Sequence, residues 1–484
     1  MKNAIRVIFA VVFIWTIMPF FYACNSGQAP YIQYDVTAEY DPAHQTVTGV
    51  VKLTFENPTD NEMDVLKLQL YPNAYRENAL YSCISEKEEP LAYYDKKNYG
   101  GITVTSVSGA KNWKLSGDDE NILFVTLPYS IFPDESTVLD IGYIVTLPTV
   151  NHRLGIGQTA VHLGRFFPTL CGLRNGVFEE ATPVPFGEPY AHAVADYKVV
   201  FTAPKEYFAL SSCLETSTQV LESKTQYRFA GNNIRNFSLV LYTQRKVLQT
   251  QVGNCTLRYY YETDDSAEDT LRVIKNAFSY CQNKFGAYPY PTFTLFQTAQ
   301  AGDAYGYTSL VTTSTQLTGA ESKRAIVKQI VKQWFGEIVG VDALNNAWQS
   351  DGVAEYIALD FFDTHREYGV DKEKAVANYL KEYRSYYDIY GNVLDRTDTK
   401  MSKPLRECIN EYEYRSIHVN KAVIMLDTLQ KSIGQRRFFA GLKRYVTGYE
   451  FCQTGVGELV GAFEKYGADV QGFFDGFLQG KVIL

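Results

Sequence analysis

Histidine is scarce in this chain of 484 residues. There are six, at His44, His152, His162, His192, His365 and His418, and no two lie within five positions of each other. That spacing excludes a pair of imidazoles four residues apart on one helix, the usual start of a helical zinc site. Cysteine is sparse too. None of the eight forms a Cys-x-x-Cys pair, so neither a zinc knuckle nor a thioredoxin-like motif is present. No Gly-x-Ser-x-Gly elbow occurs, and no cysteine stands beside a histidine in sequence, which leaves a serine or cysteine hydrolase without a nucleophile. An excess of basic charge is also missing. The net charge of −8 and a pI near 5.5 argue against a nucleic-acid partner, which needs a basic surface. Internal repeats and low-complexity tracts are absent.

What is present is enough for two or three domains with proper cores. The hydrophobic share of 46% is that of a globular chain. The 37 tyrosines suggest packed interfaces or wet binding surfaces. Residues 1–24 stand apart: Lys2 and Arg6 precede an apolar run over 7–23, which ends Phe-Tyr-Ala-Cys at Cys24. This is the pattern of a bacterial lipoprotein signal, with lipidation at Cys24. An uncleaved membrane anchor and ordinary secretion are the other two readings. All three export the chain, and the expected location is the cell envelope, anchored on the outer side of the membrane. The other seven cysteines allow one or two disulfides in such a compartment, in a pairing that spacing does not reveal.

Residues 25–30 form a short polar spacer. From 31 the hydrophobic period is two, in short runs such as Val47, Val51, Leu53 and Phe55, with turn signals every ten or so residues. This predicts an all-β sandwich over 31–250. After 264 the period becomes helical. Helices are expected from Asp265 and Ser266 as caps to Phe285, then over 321–338, 347–366, 371–390, 418–433, 436–449, 456–466 and 470–478, with a strand at 293–297. The fold class is therefore α+β, with a sandwich first and a mainly helical domain over 255–484.

One stretch carries the chemistry. Ile326, Val327, Ile330, Val331, Trp334 and Phe335 form the buried stripe of a helix. Lys328-Gln329-Ile330-Val331-Lys332-Gln333-Trp334-Phe335-Gly336 is followed by Trp348-Gln349-Ser350-Asp351-Gly352, and nineteen positions separate Lys332 from Asp351. This arrangement resembles the gluzincin zinc aminopeptidases, the aminopeptidase N-like (membrane alanyl aminopeptidase) family. Its members show H-E-x-x-H-Q-W-F-G and a glutamate ligand nineteen residues beyond the second histidine. Gly164–Gly172 and Ala195–Val199 resemble late sandwich segments of the family and Lys284–Pro291 the entry to its catalytic domain, in the same order. The resemblance implies a thermolysin-like second domain, a zinc ion and peptide cleavage.

Position by position, the chemistry it implies is replaced. Lys328 and Lys332 stand at the two histidines, Gln329 at the base glutamate and Asp351 at the third ligand. Val419, two residues before Lys421, stands where the resemblance implies an oxyanion-stabilising tyrosine; Tyr412 and Tyr414 are out of register. Gly306 stands where a glutamate would hold the substrate amine, with Asp303 a possible substitute. An ammonium has no lone pair for zinc, and deprotonating a lysine at pH 7 costs about 4.6 kcal/mol from its reference pKa. The family's zinc is therefore expected to be lost, and no other cofactor is implied. In its place we expect a lysine ammonium paired with Asp351, with Glu355 one turn on as a further acceptor. Asp303, Tyr305, Glu355, Tyr414 and His418 are the candidates for lining a binding cleft. The function expected is that of a surface-anchored inactive homologue binding a peptide or protein partner. A metallopeptidase with a non-standard site and an envelope scaffold are the alternatives.

Overall fold

The computed structural model describes residues 31–394, 398–467, 469–482 and 484. The signal stretch, Cys24 and the 25–30 spacer lie outside the described residues.

The first strand shows why the chain begins as a sandwich. Along Ile32–Asp41 every second side chain is buried, so Tyr34, Val36, Ala38 and Tyr40 face inward while Gln33, Asp35, Thr37 and Glu39 face solvent. It pairs antiparallel with Thr46–Glu56 and parallel with Ala195–Pro204. These three are the middle of a seven-stranded sheet. Two four-stranded sheets complete this half, one around Met63–Gln69 and Ile122–Ile131, the other around Val161–Gly164 and Ser238–Tyr242. Phe55, Leu68, Val125, Phe166 and Phe201, drawn from several strands, share one core.

The second half opens one strand earlier than sequence suggests. Lys246–Val252 pairs along its whole length with Cys255–Tyr261, turning at Gly253 in the left-handed region (φ +57°). It is the edge of a five-stranded sheet with Thr292–Thr298, Leu310–Ser314 and Ala304–Tyr307. The seam therefore falls between Tyr242 and Lys246, not at 250. Its register is set by the hairpin and not by the alternation that both halves share.

Helices follow. Ala267–Phe285 is entered through Asp264, whose carboxylate accepts from Ser266 N at 2.8 Å and Thr270 Oγ1 at 3.0 Å; Ser266 makes no side-chain cap of its own. Gly319–Lys332 stops six residues short of the expected end, because Gly336 at φ +155° turns the chain into a bridge between Phe335 and Val339. The expected 347–366 helix starts as a short turn and becomes Asp351–Thr364. The expected 418–433 helix starts at Lys421, after a wide π-type turn over Arg415–Asn420. Among the described residues no helix is long and apolar enough to cross a membrane. Cys83, Cys171, Cys213, Cys255, Cys281 and Cys408 are free thiols.

Candidate functional site

The Gly319–Lys332 helix buries Ile326, Val327, Ile330 and Val331, and so aims Lys328 and Lys332 at the start of the Asp351–Thr364 helix. Asp351 is the first residue of that helix, where the backbone dipole favours a carboxylate. Lys332 Nζ lies 3.3 Å and Lys328 Nζ 3.5 Å from Asp351 Oδ1. Lys328 is also 3.5 Å from Glu355 Oε2. The pairing of ammonium with carboxylate that the sequence suggests is present in the geometry.

The cluster is larger than the sequence suggests. A stretch at 180–194 without regular structure lays Glu188 against Lys332, at 3.4 Å. Glu188 is held in turn by Arg153 at 3.1 Å, and at the other end Glu355 is held by Arg324 at 2.9 Å. In order, Arg153, Glu188, Lys332, Asp351, Lys328, Glu355 and Arg324 alternate in sign. Four cations meet three carboxylates, so the string carries one net positive charge and ends in arginine on both sides. Neutral hydroxyls brace it. Tyr414 Oη donates to Asp351 Oδ2 at 2.8 Å, and Tyr379 Oη donates to Glu355 Oε1 at 2.7 Å.

Burial alone would raise the Asp351 pKa, but Lys332 and Lys328 outweigh it and hold the carboxyl well below its usual range. Glu355 and Glu188 are lowered against the same burial, the first by Lys328 and Arg324, the second by Arg153 and Lys332. Burial pulls Lys332 down, yet Asp351 and Glu188 carry it above its ordinary value. Burial, then Asp351, pushes the Tyr414 phenol far up. Asp351, Glu188, Glu355 and Lys332 are thus in their charged forms at neutral pH, and Tyr414 is a donor.

This donor set does not fit zinc. Freeing a lysine lone pair costs about 4.6 kcal/mol at the reference pKa, and Lys332 sits above that reference. Among the described residues no three of His, Cys, Asp or Glu are grouped to hold a metal. Gln329 supplies no base. Its Nε2 donates to Ala304 O at 3.2 Å, and its Oε1 has no partner. A Cβ at Gly306 would run into that oxygen, so the absence of a side chain at 306 is what lets Gln329 pack there.

The remaining sequence candidates divide. Val419 is buried with Ala347, Leu405 and Cys408, and the hydroxyl that reaches the site comes from Tyr414. The wide turn over Arg415–Asn420 stands between Tyr414 and Lys421, so the fixed two-residue offset from Lys421 does not find this tyrosine. Tyr305 is buried beneath Arg153, 4.1 Å from its guanidinium carbon, and supports the string from below. Asp303 is exposed and, among the described residues, makes no ion pair with the string. His418 is fully buried behind Tyr414 and does not line a cleft. Its Nε2 lies 3.6 Å from Cys408 Sγ, a pairing invisible in sequence. Burial pushes that thiol up to about 12 and the imidazole down to about 4. The pair is therefore neutral and supplies no thiolate nucleophile. Glu188 and Arg153 had no local signal, since each reaches the site from a segment distant in sequence, whereas Arg324 lies one turn before Lys328 on the same helix.

Residues 305–477, which contain most of this site, match the model of the peptidase family M1 domain. This chain carries a peptidase family M1 domain. Aminopeptidase N of Streptomyces lividans is 24% identical over 221 residues, or 41% of this chain. That alignment spans 24% of the relative's own length. The M1 zinc metallopeptidase of Deinococcus radiodurans superposes with a TM-score of 0.64 at 16% identity, covering 94% of each chain. A point mutant of it with a Tyr-Ser-Ala substrate bound gives 0.65, covering 94% of this chain and 95% of that one. The two-domain architecture, sandwich then helical domain, is shared with the Deinococcus structures. At this identity the likeness speaks for the fold.

Proposed function

We propose that this chain is an exported M1 relative that has given up catalysis, anchored in the cell envelope through Cys24, and that it binds a peptide or protein partner at the former active site. One observation carries the reading: two lysines and an aspartate stand where the family's spacing places its metal ligands, and they are paired to one another. A metal, a base and an electrophile are the sources of rate in such a site. Here they are exchanged for an ion-pair string in which every carboxylate is tied to a cation. The space left beside Lys332, Gln329, Gly306 and Glu188 is a cavity of about 40 Å³, far below what a buried ligand needs. A partner therefore engages from the outer end, where Lys328 is 22% and Arg324 39% exposed. Lys328 stands 3.5 Å from both of its carboxylates and keeps donors for a carbonyl or carboxylate.

Metal analysis of the purified chain, an aminoacyl-arylamide assay and a peptide-library screen test this together. The expected results are no stoichiometric zinc, no chelator-sensitive turnover, and peptide binding that Lys328→Gln weakens about tenfold, the loss of one hydrogen bond to a charged group. Zinc at one equivalent with turnover that chelators abolish would overthrow the proposal.

A further inference from the structure

Independently of how the cleft is used, a second cavity near the string has two buried arginines in its walls. It has a volume of about 30 Å³ and is lined by Arg153 and Arg165 together with Tyr71, Tyr190, Cys83 and Pro189. Arg165 is 4% exposed. Among the described residues it has no carboxylate in ion-pairing range; its one polar side-chain partner is Asn236, whose Oδ1 accepts from Nη2 at 2.9 Å. Its charge is met at longer range by Glu188 and Glu337 and at close range by ring faces, with the guanidinium carbon 3.2 Å from the Tyr190 centroid and 5.5 Å from that of Tyr71. Its Nε has no partner. Arg153 spends Nη2 on Glu188, and its Nη1 has no partner either.

Two buried guanidinium groups therefore line one cavity, each with an idle N–H donor. Two of the cavity's three phenols do not answer them: the Tyr71 hydroxyl is engaged by His192 and that of Tyr75 by His152, both at 2.6 Å. Arg165 feels Glu188 and Glu337 only from beyond ion-pairing range, and a buried donor without an acceptor is costly. We propose that this cavity is a binding site for a small monovalent anion of halide size, held by Arg153 Nη1 and Arg165 Nε. The volume admits one or two small occupants and no carboxylate-bearing metabolite. A water can accept from both donors but cannot cancel the charge, which is why an anion is the occupant assigned. Because Arg153 also holds Glu188, a filled site buttresses the inner end of the ion-pair string.

The test uses the full chain in sodium bromide. Crystals are expected to show an anomalous bromide peak in contact with both arginines. In solution, Tm is expected to rise and saturate as bromide or chloride replaces gluconate at constant ionic strength. Arg165→Gln should abolish that dependence. If that variant does not fold, Cys83→Leu, which fills the cavity and leaves both charges in place, should abolish it instead. A water in the density with no anomalous signal would overturn the assignment. So would a Tm indifferent to the halide, or a halide response that survives in the folded variants.

Discussion

Removing the Asp351 carboxylate leaves two ammonium groups facing each other in a buried place. Asp351→Asn is therefore expected to cost about 3–5 kcal/mol in urea denaturation, the range for breaking a buried ion pair from one side. Tyr414→Phe removes a hydrogen bond to that carboxylate and should cost about 1.5–3 kcal/mol. Much of this arrangement is legible in the sequence. The spacing of Lys328, Lys332 and Asp351 places three charges on facing turns, and opposite charges at that distance pair. Tyr414 and Glu188 are harder to find. The first depends on a turn of unusual pitch, the second on a segment 144 positions from Lys332 that carries no motif.

At the scale of elements, the site is two helix ends held in a fixed relation. The Asp351–Thr364 helix lies so close to Lys421–Ile433 that a Cβ at Gly352 would strike Ala422 and the backbone oxygen of His418, which lies at 2.7 Å from that Cβ position. Gly352→Val is expected to destabilise by about 1–3 kcal/mol, the usual cost of overpacking, read as a lowered urea midpoint at unchanged slope. If those two helix ends still hold a metal-binding frame, restoring donors should restore metal. The combined change Lys328→His, Gln329→Glu, Lys332→His and Asp351→Glu is expected to take up one zinc per chain by metal analysis, where the unmodified chain takes none. Helix existence and faces were legible from hydrophobic period. Helix ends were not, because Gly336 and the wide turn over Arg415–Asn420 act through backbone geometry that residue periodicity does not encode.

Across the whole molecule, a buried cation helps tie the two halves. Arg235, at the end of the sandwich strand Lys224–Ile234, donates to the backbone oxygens of Glu337 at 3.0 Å, Ile338 at 3.3 Å and Cys452 at 3.1 Å. Acid should loosen the fold in two stages. Burial, the leading cause, holds His418 and His162 down at about 4 and His192 at about 3, against 6.5 when free. Folded values below the unfolded one mean stability that is full above pH 6.5 and lost as pH falls toward 4. The loss is about 1.4 kcal/mol per histidine for each pH unit. Asp351, Glu188 and Glu355 are lowered from 3.8 and 4.5, so their share is present above those values and lost below them. Thermal melts from pH 7 to pH 3 should show Tm declining from about 6.5 and then more steeply below 4.5. A flat profile down to pH 5 would contradict the burial of these imidazoles.

By itself the sequence determined which chemistry is possible. Residue type decides whether a lone pair exists at neutral pH, and period decides which face is buried; both are local properties. The tertiary structure alone decided that seven charges alternate in one string, that a tyrosine from the far side of a wide turn caps it, and that two arginines line one cavity. Those facts depend on segments brought together by the shared core, and no local pattern records which distant charges will meet.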